Sequence, residues 1–346
     1  MKNNIQKLLR NNLKNRSPYA SARDEFTEPA EIWLDANENP FETGMNRYPD
    51  PRQNKLKEAV ARVKQLPKNN VFIGNGSDEV LDLLFRAFCE PRIDNVIISP
   101  PTFGIFEVLA EINDVAIKKA PLNEDFSLNI ERVLQQIDEH TKMIILCSPN
   151  NPTGNTLDEQ AIEKLMELAS PLVVIDEAYI DFSKSKGFVN KLDHYPGLVV
   201  VQTLSKAWGM AGLRLGLGLA STEIVQILDS IKPPYNINSY SQLQAIKQID
   251  NKIDTEQQIA SILAEREKIR KALEQLPGVI KVFPSDTNFL LVEIKNATQI
   301  YTALLKKGIV LRNRSGILNC KECLRITVGT PAENDRLLKE LRNLKL

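Results

Sequence analysis

Apolar residues recur along the chain in two alternating patterns, short uninterrupted runs and longer segments with helical spacing. Residues 54–66 and 78–88 place apolar side chains three or four positions apart, which predicts amphipathic helices. Short apolar runs lie at residues 96–99, 117–120, 143–147, 172–175, 198–202 and 215–220, with helical segments such as 158–169 between them. Strands that alternate with helices predict an α/β fold with a mainly parallel sheet covered on both faces.

The pattern changes after Pro233 and Pro234. Two long helical segments, 238–249 and 256–276, precede short strands at 289–294, 309–311 and 324–328 and helices at 298–307 and 333–344. A chain of 346 residues allows two domains. We expect a large domain at 41–235, a small C-terminal α/β domain at 236–346, and an N-terminal segment, 1–40, associated with the small domain.

The first sixteen residues carry apolar side chains at helical spacing, and no acidic residue precedes Asp24. An organelle transit peptide has this character, but the segment is rich in Asn and poor in Ser. We expect instead a helix that packs on a neighbouring domain, and a cytoplasmic protein. The apolar residues concerned are Ile5, Leu8, Leu9 and Leu13.

Charge and cysteine content narrow the class of protein. The 44 basic residues balance the 44 acidic ones, so nothing indicates binding to nucleic acid or to a membrane surface. No apolar run approaches the ~18 residues that a membrane helix needs. Four cysteines in the whole chain indicate a reducing compartment. Cys320 and Cys323 form a C-x-x-C pair, but a zinc site needs two more ligands, so we expect structural thiols and no metal.

A candidate catalytic lysine, Lys206, follows the predicted strand 198–202. Thr203 and Ser205 precede it with two hydroxyl groups, and Arg214 follows eight residues later. A lysine at a strand end, beside groups that can hold an anion, is typical of a Schiff-base lysine next to a phosphorylated aldehyde cofactor. Taken alone, the motif is more often a surface Ser-Lys pair with an unrelated arginine.

Two other strand ends favour the catalytic interpretation. Asp176 follows the apolar run 172–175, at the end of a strand where ligands of parallel sheets bind, and its carboxylate can pair with a protonated pyridine nitrogen. Tyr179 and Asn151 can both reach the phenolic oxygen of the same ring. The alternatives are an N-cap acid for Asp176 and an ordinary turn for the segment around Asn151.

A glycine-rich turn opens the helix predicted at 78–88. The backbone N–H groups of Gly76, Ser77 and Asp78 at a helix N-terminus favour an anion. That anion would be the cofactor phosphate, which Ser205 and Arg214 would also hold. A glycine-rich turn alone is weak evidence for phosphate binding. The evidence is stronger here because the other motifs need the same anion.

These motifs, in this order, resemble the fold-type I aminotransferases that depend on pyridoxal 5'-phosphate (PLP). The rest of the chain resembles one family among them, the histidinol-phosphate aminotransferases. Segments 18–25, 34–40, 46–49, 74–79 and 324–330 carry this likeness. The resemblance implies the PLP-dependent transferase fold type I, with a large domain built on a seven-stranded sheet covered by helices and a smaller α/β domain.

The resemblance also implies roles for two aromatic residues. Phe103 falls where the family commonly has a tyrosine stacked on the pyridine ring, so it keeps the stacking face and loses the hydroxyl. Tyr48 is implied to reach the cofactor phosphate of a partner subunit, which implies a homodimer with shared active sites. The alternatives are a core aromatic for Phe103 and a turn aromatic for Tyr48.

The substrate side of the site is likewise implied by the resemblance. Arg325 is the candidate anion clamp, because a guanidinium binds a carboxylate or a phosphate bidentately. Arg312 and Tyr19 are implied companions for the substrate phosphate, and Asn37 is a further implied substrate contact. Arg312 and Arg314 are alternatively solvated charges at a strand end.

The activity implied by the resemblance is ping-pong transamination. L-Histidinol phosphate and 2-oxoglutarate would give imidazole-acetol phosphate and L-glutamate in L-histidine biosynthesis, with Lys206 moving a proton between the substrate carbon and the cofactor carbon. A PLP-dependent decarboxylase of an amino-acid phosphate and a broad aromatic amino-acid transaminase are alternatives. The non-enzymatic alternative is a ligand-sensing module that keeps the fold.

Overall fold

The computed structural model describes residues 4–14 and 31–344. The α-helices in these ranges are α1 (Ile5–Leu8), α2 (Asn54–Lys64), α3 (Ser77–Phe88), α4 (Ile105–Ile112), α5 (Ile130–Gln135), α6 (Glu159–Leu168), α7 (Thr222–Ile231), α8 (Ser239–Asp250), α9 (Lys252–Glu274), α10 (Ala297–Lys306) and α11 (Pro331–Asn343). The strands are β1 (Val71–Asn75), β2 (Asn95–Ile98), β3 (Ala116–Lys119), β4 (Thr141–Cys147), β5 (Leu172–Asp176), β6 (Leu198–Thr203), β7 (Leu215–Ala220), β8 (Val279–Val282), β9 (Phe289–Ile294), β10 (Arg312–Asn313) and β11 (Cys323–Thr327).

Seven of the described strands form one sheet in the order β1-β7-β6-β5-β4-β2-β3. Neighbours from β6 to β3 are parallel, whereas β7 is antiparallel to both β6 and β1. The prediction of a mainly parallel sheet is therefore confirmed, with β7 as the reversed strand. The strand expected at 309–311 is displaced, since the ladder of β10 begins at Arg312.

The central strands are buried along their length because helices cover both faces of the sheet. Successive side chains of a strand point to opposite faces. Ile144 and Val200 accordingly join the hydrophobic cluster on one face, whereas Ile145 and Val201 join the cluster on the other. This two-sided burial explains why these strands appear in the sequence as uninterrupted apolar runs.

Four further strands of the described residues form an antiparallel sheet in the order β10-β11-β9-β8. Side chains such as Leu290 and Ile326 on one face join a core with α9, α10 and α11. The opposite face presents Phe289, Leu291 and Cys323, which pack into a cluster of the large sheet. One face of the small sheet therefore packs against residues that adjoin the large sheet, among them Tyr179.

Residues 4–14 pack on the large sheet. Ile5 and Leu9 are buried in the cluster that contains Phe88, and the Arg10 N–H donates to Ala87 O at 3.0 Å. The expectation that the N-terminal segment associates with the small domain is wrong for these residues, because α3 covers their apolar side chains.

Helix α8, which the sequence pattern assigned to the small domain, packs against α2. Its residues Ala245 and Ile249 are buried in a cluster of the large sheet, and Asp250 forms an ion pair with Arg62. Helix α8 thus lies on the C-terminal side of the expected boundary between residues 235 and 236, but it contacts the large domain. The other expected domain bounds stay predictions.

The longest helix of the described ranges is α9, with 23 residues. It carries charged residues throughout its length. No helix within residues 4–14 and 31–344 combines the length and the apolar character needed to cross a membrane.

Candidate active site

The ends of β4, β5 and β6 bring three predicted site segments to one edge of the large sheet. These strands are parallel neighbours, with Asp176 opposite both Cys147 and Val201. Asn151 follows β4, Asp176 ends β5, and Lys206 follows β6. Because ligands of open parallel sheets bind off the carboxyl ends of the strands, this edge is the candidate active site.

Asp176 is buried at this edge, with 2% of its surface exposed. Its Oδ1 accepts a hydrogen bond from the Ala178 N–H at 3.0 Å. Burial raises the pKa of Asp176 from 3.8 to about 7, and the charge of Lys206 acts in the opposite direction. Since desolvation disfavours the charged carboxylate, a cation placed against it would restore the anion. A protonated pyridine nitrogen is such a cation.

The Lys206 side chain is accessible and lies beside Tyr179, with Nζ 5.9 Å from the centre of the tyrosine ring. Partial desolvation lowers the pKa of Lys206, and the charge of Arg325 lowers it further, against an opposing effect of Asp176. A lowered pKa leaves more of the amine unprotonated near neutral pH, which favours its use as a nucleophile or a base.

The Tyr179 ring is buried and packs edge-on against Phe289, with ring centres 5.2 Å apart. Burial raises the pKa of Tyr179, although the charge of Arg325 acts against this shift. The hydroxyl therefore stays protonated near neutral pH. In that state it can donate a hydrogen bond to an anionic oxygen at the edge of the sheet.

The start of α3 forms a cradle for an anion beside Arg214. Gly76 has a φ of +83°, and a side chain there would place its Cβ 2.6 Å from Arg214 Nη2. A side chain at Gly216 would collide with the backbone of Ser77, so only glycine lets β7 approach the helix start. The guanidinium also lies 3.6 Å from Asp78 Oδ2. Backbone N–H groups at a helix N-terminus and a guanidinium together favour a phosphate.

A hydroxyl group shapes the turn after β6. Thr203 Oγ1 donates to Leu215 O at 3.3 Å and accepts from the Ser205 N–H at 3.1 Å. These bonds fasten the turn that carries Ser205 and Lys206 to the start of β7. Thr203 thus acts on the site through the position of this turn.

Asn151 joins the turn after β4 to the small sheet. Its Oδ1 accepts a hydrogen bond from Arg325 Nη1 at 2.5 Å. The Arg325 guanidinium also lies 5.2 Å from the centre of the Phe289 ring. Contacts with an amide and an aromatic ring fix the planar guanidinium without neutralising its charge.

Arg312, Arg314 and Arg325 lie on one face of the small sheet. Arg312 is paired with Arg325 across β10 and β11, and Arg314 is two residues further on, so the pleat turns all three the same way. None of them forms an ion pair with a carboxylate in residues 4–14 or 31–344. Burial lowers the pKa of Arg325 and of Arg314, and repulsion from the neighbouring arginines adds to it. Uncompensated positive charge at one place favours an anionic ligand.

Phe103 lies beside the turn that carries Asn151. The preceding Pro101 O accepts a hydrogen bond from Asn150 Nδ2 at 2.8 Å, which ties the two segments together. The Phe103 ring is half-buried and packs edge-on against Phe106, with ring centres 5.8 Å apart. The Phe103 ring thus packs against the hydrophobic core through Phe106. Its stacking on a cofactor ring stays a prediction.

Two of the predicted site residues in the N-terminal part, Tyr48 and Asn37, are exposed. Tyr48 is 50% exposed and stacks on Tyr235, with ring centres 4.4 Å apart. Asn37 is exposed in a left-handed backbone conformation with a φ of +53°. Tyr19 lies outside the described residues. The proposed roles of Tyr48, Asn37 and Tyr19 toward the substrate and the cofactor therefore stay predictions.

Two residues of the site were missed by sequence reasoning. Phe289 packs on Tyr179 and lies beside the Arg325 guanidinium, and Gly216 allows the close approach of β7 to α3. Phe289 carried no local signal, because it is one apolar residue in an apolar strand. Gly216 had a weak signal, since a glycine in a strand often marks a close backbone approach.

Comparisons with known proteins agree with this geometry. The chain matches the family description "Aminotransferase class I and II" over residues 19–341. It is 50% identical over 342 residues to a histidinol-phosphate aminotransferase of Parabacteroides distasonis, with 99% of each chain covered. The chain belongs to the class I and II aminotransferases and, among them, to the histidinol-phosphate aminotransferase family.

Solved structures show the same fold. The histidinol-phosphate aminotransferase from Clostridium acetobutylicum matches with a TM-score of 0.81 and 24% identity, covering 87% of this chain and 91% of that one. The enzyme from Sinorhizobium meliloti in complex with pyridoxal-5'-phosphate matches with a TM-score of 0.79 and 24% identity, covering 86% and 83%. The fold is therefore that of the PLP-dependent fold-type I transferases, as the sequence predicts.

The family depends on PLP, and the residues at the sheet edge fit this cofactor. A buried carboxylate with a raised pKa, Asp176, suits the ring nitrogen. The cradle that a Cβ at Gly76 would fill, next to Arg214, suits the phosphate. Lys206 offers an accessible amine whose pKa responds to the charges of both Asp176 and Arg214. The protein is thus a PLP-dependent aminotransferase.

Proposed function

We propose that this protein transfers the amino group of L-histidinol phosphate to 2-oxoglutarate, giving imidazole-acetol phosphate and L-glutamate in L-histidine biosynthesis. The observation that carries the proposal is the Arg325 guanidinium, which Asn151 holds beside Lys206 without a carboxylate partner. Both amino donors carry an anionic group near the carbon that bears the amine. Relatives 46–50% identical over nearly the whole chain are named histidinol-phosphate aminotransferases, which supports this substrate.

Bound PLP supplies an aldehyde that condenses with amines and a pyridine ring that withdraws electrons from the reacting carbon. Asp176 would hold the ring nitrogen in its protonated form, because the buried carboxylate is stable as an anion only beside a cation. Asn151 Oδ1 is occupied by Arg325, so its Nδ2 is the atom free to donate to the phenolic oxygen. The Tyr179 hydroxyl would donate to the same oxygen. Phe103 would supply an aromatic face for the ring.

Lys206 would bind the cofactor and transfer the proton. The pKa of Lys206 is shifted down towards neutral pH. A group with such a pKa can accept a proton from the substrate carbon and then donate it to the cofactor carbon. Six residues would bind the phosphate or fix the turns around it: Gly76, Ser77, Asp78, Thr203, Ser205 and Arg214. The cofactor is thereby fixed at both ends while Lys206 works between them.

The two amino donors alternate in one site, which gives ping-pong kinetics. Arg325 binds the carboxylate of glutamate in one half-reaction and the phosphate of histidinol phosphate in the other. Arg312, Asn37 and Tyr19 are the proposed companions of Arg325 on the substrate. A clamp that accepts both anions is consistent with a planar guanidinium, whose paired donors match carboxylate and phosphate alike.

We propose further that the protein is a cytoplasmic homodimer with shared active sites. Residues 31–48 expose large apolar side chains, among them Leu34 at 90% and Met45 at 89%. Such a group of exposed apolar residues marks a surface that a partner covers. Tyr48 lies on this segment and would contact the cofactor phosphate of the second subunit. Four free, buried cysteines support a reducing compartment.

Half-reactions of the purified, PLP-loaded protein test the proposal. Histidinol phosphate and glutamate, added separately, should each change the absorbance spectrum of the bound cofactor, and 2-oxoglutarate should reverse the change. Phenylalanine should act far more slowly. A spectrum that responds to phenylalanine as fast as to histidinol phosphate would indicate a broad aromatic transaminase, and release of carbon dioxide without 2-oxoglutarate would indicate a decarboxylase.

A further inference from the structure

Arg314 is a cation of the small sheet that the proposed mechanism does not use. It lies on the same face as Arg325, diagonally across from it, because Arg312 is the direct neighbour of Arg325 and the Arg314 N–H bonds to Cys323 O. Diagonal neighbours in an antiparallel pair are within reach of long side chains. Arg314 and Arg325 can therefore bind one ligand together.

Within residues 4–14 and 31–344, no carboxylate forms an ion pair with Arg314. Its side chain is half-buried, and its Nε is sealed from solvent with no hydrogen-bond acceptor among the described residues. Its charged neighbours are Arg312 and Arg325, and its other titratable neighbours, Cys320 and Tyr179, are uncharged in their ordinary protonated forms. A guanidinium withdrawn from water normally pairs with a carboxylate or a phosphate. Arg312, by contrast, is exposed, where solvent screens its charge.

Glutamate and histidinol phosphate differ in the anionic group that would bind to these arginines. The carboxylate of glutamate next to the amine has two oxygens and is bonded directly to the reacting carbon. Arg325 can bind both oxygens with its two parallel donors. The phosphate of histidinol phosphate has three terminal oxygens and is separated from that carbon by a methylene group and an ester oxygen. Its third oxygen needs another donor, farther from the reacting carbon.

We propose that Arg314, in addition to Arg312, is a specificity-determining residue that binds the substrate phosphate together with Arg325, and that Arg314 does not contribute to the glutamate half-reaction. The inference rests on the proposed function, since it assigns a residue to the phosphorylated substrate of that reaction. Arg325 then acts on both substrates, whereas Arg314 distinguishes the dianionic phosphate from a carboxylate. Its planar fork is matched to two phosphate oxygens, which a lysine ammonium cannot reproduce.

The test compares Arg314→Gln and Arg314→Lys with the unsubstituted enzyme in the two half-reactions, followed by the spectrum of the bound cofactor. Arg314→Gln should lower kcat/KM for histidinol phosphate by about 10- to 150-fold, the range for a hydrogen bond to a charged group. The same variant should react with glutamate and with dephosphorylated histidinol within about twofold of the unsubstituted rate. Arg314→Lys should lose less on histidinol phosphate, and its loss should also be confined to that substrate.

Binding gives a readout that does not depend on turnover. Calorimetric titration with imidazole-acetol phosphate should show the same selective loss in Arg314→Gln, and Arg336→Gln, an exposed arginine of α11, should bind normally. An equal loss on both amino donors, or no loss on histidinol phosphate, would overturn the inference. If Arg314→Gln does not fold, the substrate ratio of Arg314→Lys decides. An unsubstituted enzyme that does not prefer histidinol phosphate to histidinol contradicts the proposed function itself, which separates the two failures.

Discussion

Asn151 accepts a hydrogen bond from Arg325 across 174 positions of sequence, at 2.5 Å between Oδ1 and Nη1. The bond links the turn after β4 of the large sheet to β11 of the small sheet. It joins the proposed substrate clamp, Arg325, directly to the proposed contact of the cofactor ring, Asn151. A substrate anion bound to Arg325 would therefore be linked through this hydrogen bond to Asn151, the residue proposed to contact the cofactor.

Replacing Arg325 should impair both half-reactions. Arg325→Ala removes a partly desolvated guanidinium that each substrate anion would contact, and truncation of a buried charged hydrogen bond costs about 2–5 kcal/mol. Rates with glutamate and with histidinol phosphate should both fall, as measured by stopped-flow spectra of the bound cofactor. Arg325→Lys, which keeps the charge and loses the paired donors, should recover part of the loss. A variant slowed with one donor alone would show that the clamp is not shared.

Lys206 should be the residue that binds the cofactor covalently. It is accessible, its pKa is lowered by desolvation, and the charges of Asp176 and of Asp78 at the start of α3 both act on it. Borohydride reduction of the PLP-loaded protein followed by peptide mapping should place the cofactor on Lys206. A label on Lys232 or on any other lysine would refute the assignment. Lys206→Ala should bind PLP reversibly and turn over neither substrate.

The site residues at the ends of β5 and β6 could be predicted from the sequence because they follow apolar strands. Strands buried on both faces are apolar along their length, so the polar residue at each end, such as Asp176, is conspicuous. The reversed direction of β7 was not predictable, because the apolar pattern of a strand is the same in either direction. The contact of Tyr179 with Phe289 was also beyond reach, since it joins two sheets that are distant in sequence.

For the N-terminal segment, too, the sequence predicted the local structure but not the tertiary contact. Helical spacing identified Ile5 and Leu9 as one apolar face, and both are buried. The spacing carries no information about which surface covers that face. Helix α3 of the large sheet does so, and the expected association with the small domain was wrong for this reason.

Asp176 should be needed for the proton transfer and much less for cofactor binding. Asp176→Asn keeps the shape and can still accept the hydrogen bond from the Ala178 N–H. It removes the anion that stabilises the protonated ring nitrogen, and loss of a preorganised electrostatic partner typically lowers kcat by roughly 100-fold or more. Single-turnover rates of a cofactor-loaded variant measure this effect. Near-normal turnover would mean that Asp176 only caps the end of β5.

The proposed dimer makes a prediction about Tyr48. If the exposed segment 31–48 is covered by a second subunit, sedimentation of the PLP-loaded protein should show a dimer at assay concentrations. Tyr48→Phe should keep the dimer and weaken PLP retention by about 1 kcal/mol, the contribution of one hydrogen bond. Tyr240→Phe, at an exposed position on α8, is a matched control for the loss of a tyrosine hydroxyl. A fully active monomer would contradict the shared site.

The raised pKa of Asp176 predicts how pH affects the stability of the cofactor-free protein. The folded pKa of about 7 exceeds the ordinary value of 3.8, so the folded state binds the proton more tightly than the unfolded state. The free energy of unfolding should therefore fall as pH rises from about 4 to about 7 and stay lower above that. Asp176→Asn removes this contribution, because an amide does not ionise.

The cofactor-free Asp176→Asn variant should accordingly have a higher Tm than the unsubstituted protein at about pH 8, and the difference should vanish at about pH 4. With PLP bound, the ring nitrogen supplies the cation that the carboxylate lacks, so the same substitution should lower the Tm at about pH 8. Asp193→Asn, at an exposed position, is the control for loss of a carboxylate. Thermal unfolding by calorimetry at both pH values, with and without PLP, measures the reversal. A substitution effect of the same sign with and without the cofactor would show that Asp176 does not face the ring nitrogen.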